Sequence, residues 1–114
     1  MTSRLALLLL LALVSPFAAQ AKRDAAEDAY QEARRSYYAL KDDAARRKLR
    51  HHWLNVARRF ESVATRFPRS ERAPEALYTA AELLNELSRI SFVEEDLRAS
   101  IADYGRVVEA HPRK

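Results

Sequence analysis

The chain contains no cysteine, and it has only one glycine and four prolines among its 114 residues. Without cysteine it can form neither a disulfide framework nor the lipid-bearing thiol of a lipoprotein, so packing alone must stabilise the fold. No long stretch alternates polar and apolar residues, which argues against a sheet. Alanine, leucine, arginine and glutamate dominate, and all four favour helices. We therefore expect one all-α domain.

The most apolar segment lies at the amino terminus. Arg4 precedes a ten-residue apolar run at residues 5–14, and Pro16 then leads to Ala19 and Ala21 in an A-x-A arrangement. This order is typical of a secretory signal peptide. A run of this length is too short to cross about 30 Å of hydrocarbon as a helix; a short uncleaved anchor is the alternative. We predict a signal peptide at residues 1–21, export to the periplasm or cell envelope, and no stable membrane anchor after cleavage.

The chain is basic, with 20 Lys and Arg against 16 Asp and Glu and a pI near 9.7. Nucleic acid is a natural partner for such a protein in the cytosol, but the export signal leads us to expect none. A protein or peptide of the envelope is the expected partner, with an anionic envelope polymer as an alternative. The candidate contacts for an anionic partner are Arg46, Arg47, Arg50, His51 and Arg58. The alternative is that these residues form only a solvated flank of the helix.

Apolar residues recur at spacings of three and four in four segments after residue 21, which predicts four amphipathic helices. The first two are expected over residues 24–41 and 44–66, with Asp42 or Asp43 as a cap between them. The predicted apolar stripe of the first helix is Ala26, Ala29, Tyr30, Ala33, Tyr37 and Leu40. That of the second, which Pro68 should end, is Leu49, Trp53, Val56, Phe60, Val63 and Phe67.

The third helix should begin between Ser70 and Pro74 and end near Ser88, because serine caps helices and proline is tolerated in a first turn. Its predicted stripe is Leu77, Ala80, Ala81, Leu84 and Leu87. The fourth should begin near Ser91, where S-F-V-E fits a capping box, and end near Ala110, before Pro112. Its predicted stripe is Leu97, Ile101, Tyr104 and Val107 or Val108.

The second and fourth helices end alike. Phe60, Val63 and Pro68 have the same spacing as Tyr104, Val107 and Pro112, and the two sets are 44 residues apart (104 − 60). This spacing resembles the second helix of a tetratricopeptide repeat, with about ten residues beyond the usual period of about 34. A plain four-helix bundle is the alternative. In a repeat array each apolar face is buried against the next repeat, so part of the fourth stripe should be uncovered.

Four stretches of the chain together resemble the tetratricopeptide-like segment at the amino terminus of secreted bacterial N-acetylmuramoyl-L-alanine amidases. They are YYALK (37–41), KLRHHW (48–53), FESVATRFPRSERAPEAL (60–77) and DLRASIADYGRVVEAHP (96–112). The resemblance implies a signal peptide, a helical domain over residues 22–114 that continues beyond Lys114, and a later zinc-dependent domain. The zinc ligands and the catalytic glutamate would belong to that later domain.

The residues of this chain offer no catalytic constellation of their own. His51 and His52 are adjacent and so point about 100° apart on a helix, and no H-E-x-x-H, glycine-rich phosphate loop or G-x-S-x-G is present. We expect no catalytic residue, metal ligand or cofactor in this chain. The expected function is a protein-binding or targeting module of an exported amidase. A stand-alone adaptor and, more remotely, a self-contained enzyme are the alternatives.

Overall fold

The computed structural model describes the backbone of residues 2–110 and the side chains of residues 16–110. Over this part of the chain the fold is all-α, as predicted. Its helices are α1 (Thr2–Lys41), α2 (Ala44–Arg47), α3 (Arg50–Arg66), α4 (Arg72–Ser91) and α5 (Glu94–Ala110). Residues 111–114, which include the predicted stop at Pro112, lie outside the described residues.

Helix α1 begins far earlier than the predicted start at residue 24, and it runs without a break through Pro16. Leucine dominates before that proline and alanine after it, and their high helix propensity explains the continuity. Side chains 16–25 are exposed, and Ala26 is the first buried one. Packing therefore begins close to the predicted start. Most side chains of the predicted signal peptide lie outside the described residues, and its cleavage stays a prediction.

The second predicted helix is interrupted, which corrects the expectation of one helix over residues 44–66. Leu49 has an extended backbone (φ −111°, ψ 113°) between α2 and α3, and its side chain, predicted to be in the core, is 49% exposed. The indole Nε1 of buried Trp53 donates a 2.9 Å hydrogen bond to the Arg47 carbonyl. An unbroken helix would have bonded that carbonyl to an amide one turn later. The break therefore supplies the acceptor that a buried indole needs.

Helix α4 starts and packs as predicted. Ser70 Oγ accepts a 3.1 Å hydrogen bond from the Arg72 amide, and Pro74 lies in the first turn. The predicted capping box at Ser91 is wrong: Ser91 is the last residue of α4, and Phe92 follows in the left-handed region at φ 56°. The Ser91 hydroxyl instead accepts from the Val93 amide at 3.2 Å and donates to Asp96 at 2.8 Å.

The four long helices form two hairpins that stack in the same register. The pairs Glu27–Arg72 and Lys41–Glu86 join α1 to α4, and both span 45 residues. A constant offset means that α1 and α4 run parallel, and it agrees with the 44-residue repeat in the sequence. Residues shared by α1, α3 and α4 form the core, which is Tyr30, Ala33, Leu40, Trp53, Val56, Ala57, Phe60, Val63, Ala76, Ala80, Leu83, Leu84 and Leu87.

The buried positions of α5 are polar, which corrects most of the stripe predicted for it; of that stripe Val107 alone packs on a core cluster, that of Ala64, Ala73 and Leu77. Asp96, Ser100 and Asp103 are buried, and the Ser100 hydroxyl donates a 2.9 Å hydrogen bond to the Ala81 carbonyl. Small and hydrogen-bonding side chains let α5 lie close to the alanines of α4. The predicted apolar stripe points largely outward: the exposed fractions of Leu97, Ile101 and Val108 are 43%, 62% and 66%.

Candidate functional site

A groove of about 340 Å³ lies between α1 and α4 and is the candidate functional site. Four of the five tyrosines of the chain line it, namely Tyr30, Tyr37, Tyr38 and Tyr78. The fifth, Tyr104 on α5, packs edge-to-face against Tyr78 with ring centroids 5.7 Å apart. One helix of the first hairpin and both helices of the second therefore contribute tyrosines to one aromatic surface.

Helical spacing and core packing fix the rings in place. Residues 30, 37 and 38 are seven and eight apart, so they project from one side of α1. Tyr30 and Tyr37 meet Phe60 of α3 edge-on, with centroids 6.0 and 6.4 Å away. Tyr38 and Tyr78 are 53% and 49% exposed. The floor is thus part of the core, while the rim presents two accessible rings.

Each end of the groove is bounded by an ion pair beside a tyrosine. At one end Arg72 donates to Glu27 at 2.6 and 2.9 Å and lies 4.5 Å from the centre of the Tyr30 ring. This bonding lowers the pKa of Glu27 to about 2. At the other end Lys41 pairs with Glu86 at 2.8 Å and lies 5.5 Å from the centre of the Tyr37 ring.

Two further charges line the groove between these ends. Arg34 on α1 donates to the Tyr38 hydroxyl at 3.3 Å and lies 5.7 Å from the centre of that ring. Glu82 on α4 accepts a 3.4 Å hydrogen bond from the Tyr104 hydroxyl. Hydrogen bonding to Glu82 raises the pKa of Tyr78, while burial is the main cause of the raised pKa of Tyr104. Among residues 16–110, neither Arg34 nor Glu82 forms an ion pair.

The predicted basic flank is divided by the helix break. Arg46 pairs with Asp43 at 3.2 Å and Arg50 with Asp96 at 2.8 Å, and Arg47 donates to the Lys41 carbonyl. His51 is exposed with its ring 4.1 Å from that of His52, and Arg58 is exposed beside Arg59 and Arg66 in a shallow cleft on the α1–α3 side. Three of the five side chains therefore bond to other parts of the chain, and contact with an anionic partner stays a prediction.

No three histidine, cysteine or acidic side chains come close enough to hold a metal ion within the part of the chain that the structure describes. In the same part no helix is both long and apolar enough to cross a membrane. The zinc expected in a later domain stays a prediction from the resemblance.

The sequence analysis placed Tyr30 and Tyr37 on the apolar stripe of the first helix but missed the groove. The tyrosines of α4 and α5 are 26 residues apart (104 − 78) and lie on different helices, so no local spacing connects them. Packing of α5 against α4 brings these two rings together, and the parallel register of α1 and α4 places them beside the tyrosines of α1. The available signal was the 44-residue repeat, which places the two hairpins side by side.

Comparisons of the chain with protein-family models, curated proteins and solved structures found no match. The case for a function therefore depends on the groove, on the repeat and on the sequence resemblance.

Proposed function

We propose that this chain is a protein-binding module of two tetratricopeptide-like hairpins, and that the groove between α1 and α4 receives a peptide segment of a cell-envelope partner. The observation that carries the proposal is the gathering of the tyrosines on one surface. Tyrosine is enriched at protein interfaces, because its ring buries a large area while its hydroxyl stays hydrogen-bonded. A volume of about 340 Å³ suits a few side chains of a partner.

The register of the hairpins supports the tetratricopeptide-like part of this proposal. Helices α1 and α4 are the first helices of successive hairpins, and two ion pairs join them at a constant offset. Parallel first helices produce a continuous surface on which an extended peptide can lie. Packing of Tyr30 and Tyr37 on the core reduces the ordering cost of binding, because the rings are already held in place.

The resemblance to secreted amidases suggests a larger setting. In this proposal the chain is the amino-terminal targeting module of an exported N-acetylmuramoyl-L-alanine amidase, and the groove brings the enzyme to its partner. A stand-alone periplasmic adaptor is the second candidate, and the same groove supports it. The coding sequence after codon 114 separates the two: the first requires a zinc amidase domain there, and the second a stop codon.

Site-specific photo-crosslinking tests the binding surface. A photoreactive phenylalanine replaces Tyr38 at the groove rim in one variant and the exposed Asn55 of α3, which does not line the groove, in the control. Both variants are produced as the full chain in cells that export it. We expect a discrete crosslinked product from position 38 and none from position 55. A third variant carries the photoreactive residue in place of Tyr78. Equal products from positions 38 and 55 would contradict the proposal, and so would the absence of a product from both position 38 and position 78.

A further inference from the structure

We infer that the groove recognises an arginine or lysine side chain of its partner, which Glu82 holds against the exposed face of the Tyr78 ring, beside Tyr104. This inference rests on the proposed function and specifies the chemistry of the partner. Its basis is a pattern of acid, tyrosine and cation that is complete twice in the groove and incomplete once.

The complete sets lie at the two ends. Arg72 pairs with Glu27 over the ring of Tyr30, and Lys41 pairs with Glu86 beside the ring of Tyr37. In both, a carboxylate neutralises the cation while the negative face of an aromatic ring attracts it. The protein thus already uses its own basic residues in the arrangement that we propose for a partner.

The incomplete set lies between α4 and α5. Glu75, Glu82 and Glu86 follow one another along α4, and two of them have basic partners: Arg72 lies 2.8 Å from Glu75, and Lys41 lies 2.8 Å from Glu86. Among the described side chains Glu82 has no basic partner, and the Tyr104 hydroxyl that donates to it carries no charge to balance it. Glu82 is exposed, so a partner can reach its carboxylate.

The tyrosines show the same gap. Tyr30, Tyr37 and Tyr38 each have a basic side chain within 6 Å of the ring centre, namely Arg72, Lys41 and Arg34. Tyr78 and Tyr104 have none in the described part of the chain, and these are the two rings beside Glu82. Their centroids lie 5.7 Å apart at an interplanar angle of 69°, which leaves the half-exposed face of Tyr78 open to a ligand.

Two other basic residues, Arg34 and Arg89, are the candidates within the protein itself for a cation beside Glu82. Arg34 stands on the opposite side of the groove and is held by Tyr38. Arg89, seven residues after Glu82 on α4, lowers the pKa of Tyr104 by its charge but forms no ion pair with Glu82. An anionic polymer is the competing class of partner, and the Glu82 carboxylate would repel it at this point. The observations therefore favour a basic peptide.

The test uses three acetylated and amidated pentapeptides. They are Ala-Ala-Arg-Ala-Ala, the same peptide with citrulline, a neutral isostere of arginine, and the same peptide with glutamate. Each is titrated at low ionic strength, where exposed charges are least screened, into the isotopically labelled full chain. Amide shifts of Tyr78, Glu82 and Tyr104 are followed. We expect the arginine peptide to bind about five- to tenfold more tightly than the citrulline peptide. Glu82→Gln should remove this difference, and the control Glu94→Gln on the exposed side of α5 should keep it.

Each other outcome has a distinct meaning. Equal groove shifts from both peptides would overturn the requirement for a cation and leave the peptide-binding function standing. Preferential binding of the glutamate peptide would overturn it in favour of an anionic partner. No groove shift from any peptide would overturn the inference, and with a negative crosslinking result at position 38 it would also count against the proposed function.

Discussion

Arg50 on α3 holds the buried carboxylate of Asp96 on α5 in a two-point grip, with Nε 2.9 Å from Oδ2 and Nη2 2.8 Å from Oδ1. Asp96 is 1% exposed. Its pKa is lowered chiefly by the hydrogen bonds from Arg50, with a further contribution from the Ser91 hydroxyl. This pair joins the second hairpin to the first, and neither residue belongs to an apolar stripe.

Removal of the Asp96 carboxylate should loosen the attachment of α5. We expect Asp96→Ala to lower the free energy of unfolding by about 2–3 kcal/mol, because charged hydrogen bonds are lost and Arg50 must be hydrated. Arg50→Ala should be destabilising at neutral pH and less so in acid, where the stranded carboxylate is protonated. Urea denaturation measures both. The control Arg98→Ala, in an exposed pair with Glu94, should have little effect; an equal loss there would contradict this account.

Trp53 should be the most sensitive position of the core. It is 1% exposed and its indole bonds the Arg47 carbonyl at the helix break. Trp53→Ala should cost about 3–5 kcal/mol, a large part of the 5–15 kcal/mol that stabilises a typical domain. Trp53→Phe keeps most of the packing and should cost about 1–2 kcal/mol through the unsatisfied carbonyl. Leu49→Ala, at the exposed position first assigned to the same stripe, is the matched control. A melting temperature of Trp53→Ala equal to that of the parent would refute the core assignment.

Asp103 should make the protein progressively less stable as the pH rises from about 4 to about 8. It is 3% exposed, and its Oδ2 has no hydrogen-bond partner in the described structure. Burial, helped by the neighbouring Glu61 carboxyl, raises its pKa from 3.8 to about 8, against the weaker opposing effect of Arg106. The folded state therefore holds a proton that the unfolded chain loses near pH 4. This contribution to stability is fully present below about pH 4 and is lost as the pH rises through about 8.

The substitution Asp103→Asn isolates this effect. The amide has the same shape and does not ionise, so the variant should lack the part of the pH slope that lies between about pH 4 and pH 8. Chemical denaturation at intervals across this range measures it, with Asp28→Asn at an exposed position of α1 as the control. An unchanged slope in Asp103→Asn would show that Asp103 is ionised in the folded protein.

The chain from residue 22 to residue 114 should fold and should not cleave peptidoglycan. The side chains of residues 16–25 are all exposed. Removal of residues 16–21 with the predicted signal peptide therefore takes away no side chain of the core. Circular dichroism should show a helical spectrum. Release of dye from labelled sacculi should stay at the rate of a buffer control, with a secreted amidase as the positive control. Dye release above the buffer rate would contradict this prediction and would favour the alternative of a self-contained enzyme.

The sequence predicted the fold better than the surface. The steps of three and four through Phe60 and Leu84 fixed which faces of α3 and α4 are buried, because apolar burial follows helical periodicity. The same rule failed for Leu97 and Ile101 of α5, because the Asp96 ion pair and the Ser100 hydrogen bond hold another face of this helix against the protein. It failed also at Leu49, which is exposed because the helix is broken there. The break leaves the Arg47 carbonyl free to accept the hydrogen bond from the Trp53 indole. Which polar side chains pair depends on which helices contact each other. The spacing of residues within one helix does not predict those contacts.

The outward stripe of α5 should make the isolated chain self-associate or leave its last helix frayed. Leu97, Ile101 and Val108 are 43%, 62% and 66% exposed. The residues 44 positions earlier, Trp53, Ala57 and Ala64, are buried in the clusters that α3 forms with residues of α4. The exposed face of α5 is thus equivalent to the face of α3 against which α4 packs. Contiguous exposed apolar side chains mark interaction surfaces.

Two measurements distinguish these outcomes. Self-association would appear as a concentration-dependent mass in sedimentation, and Ile101→Gln should reduce it without loss of stability because the side chain is exposed. Fraying would appear as faster amide exchange over residues 97–110 than over α3. The control Ala102→Gln, at an exposed position beside the stripe, should change neither. A monomer with uniformly slow exchange through α5 would show that the two hairpins need no further helix, and it would favour the stand-alone adaptor over the amidase module.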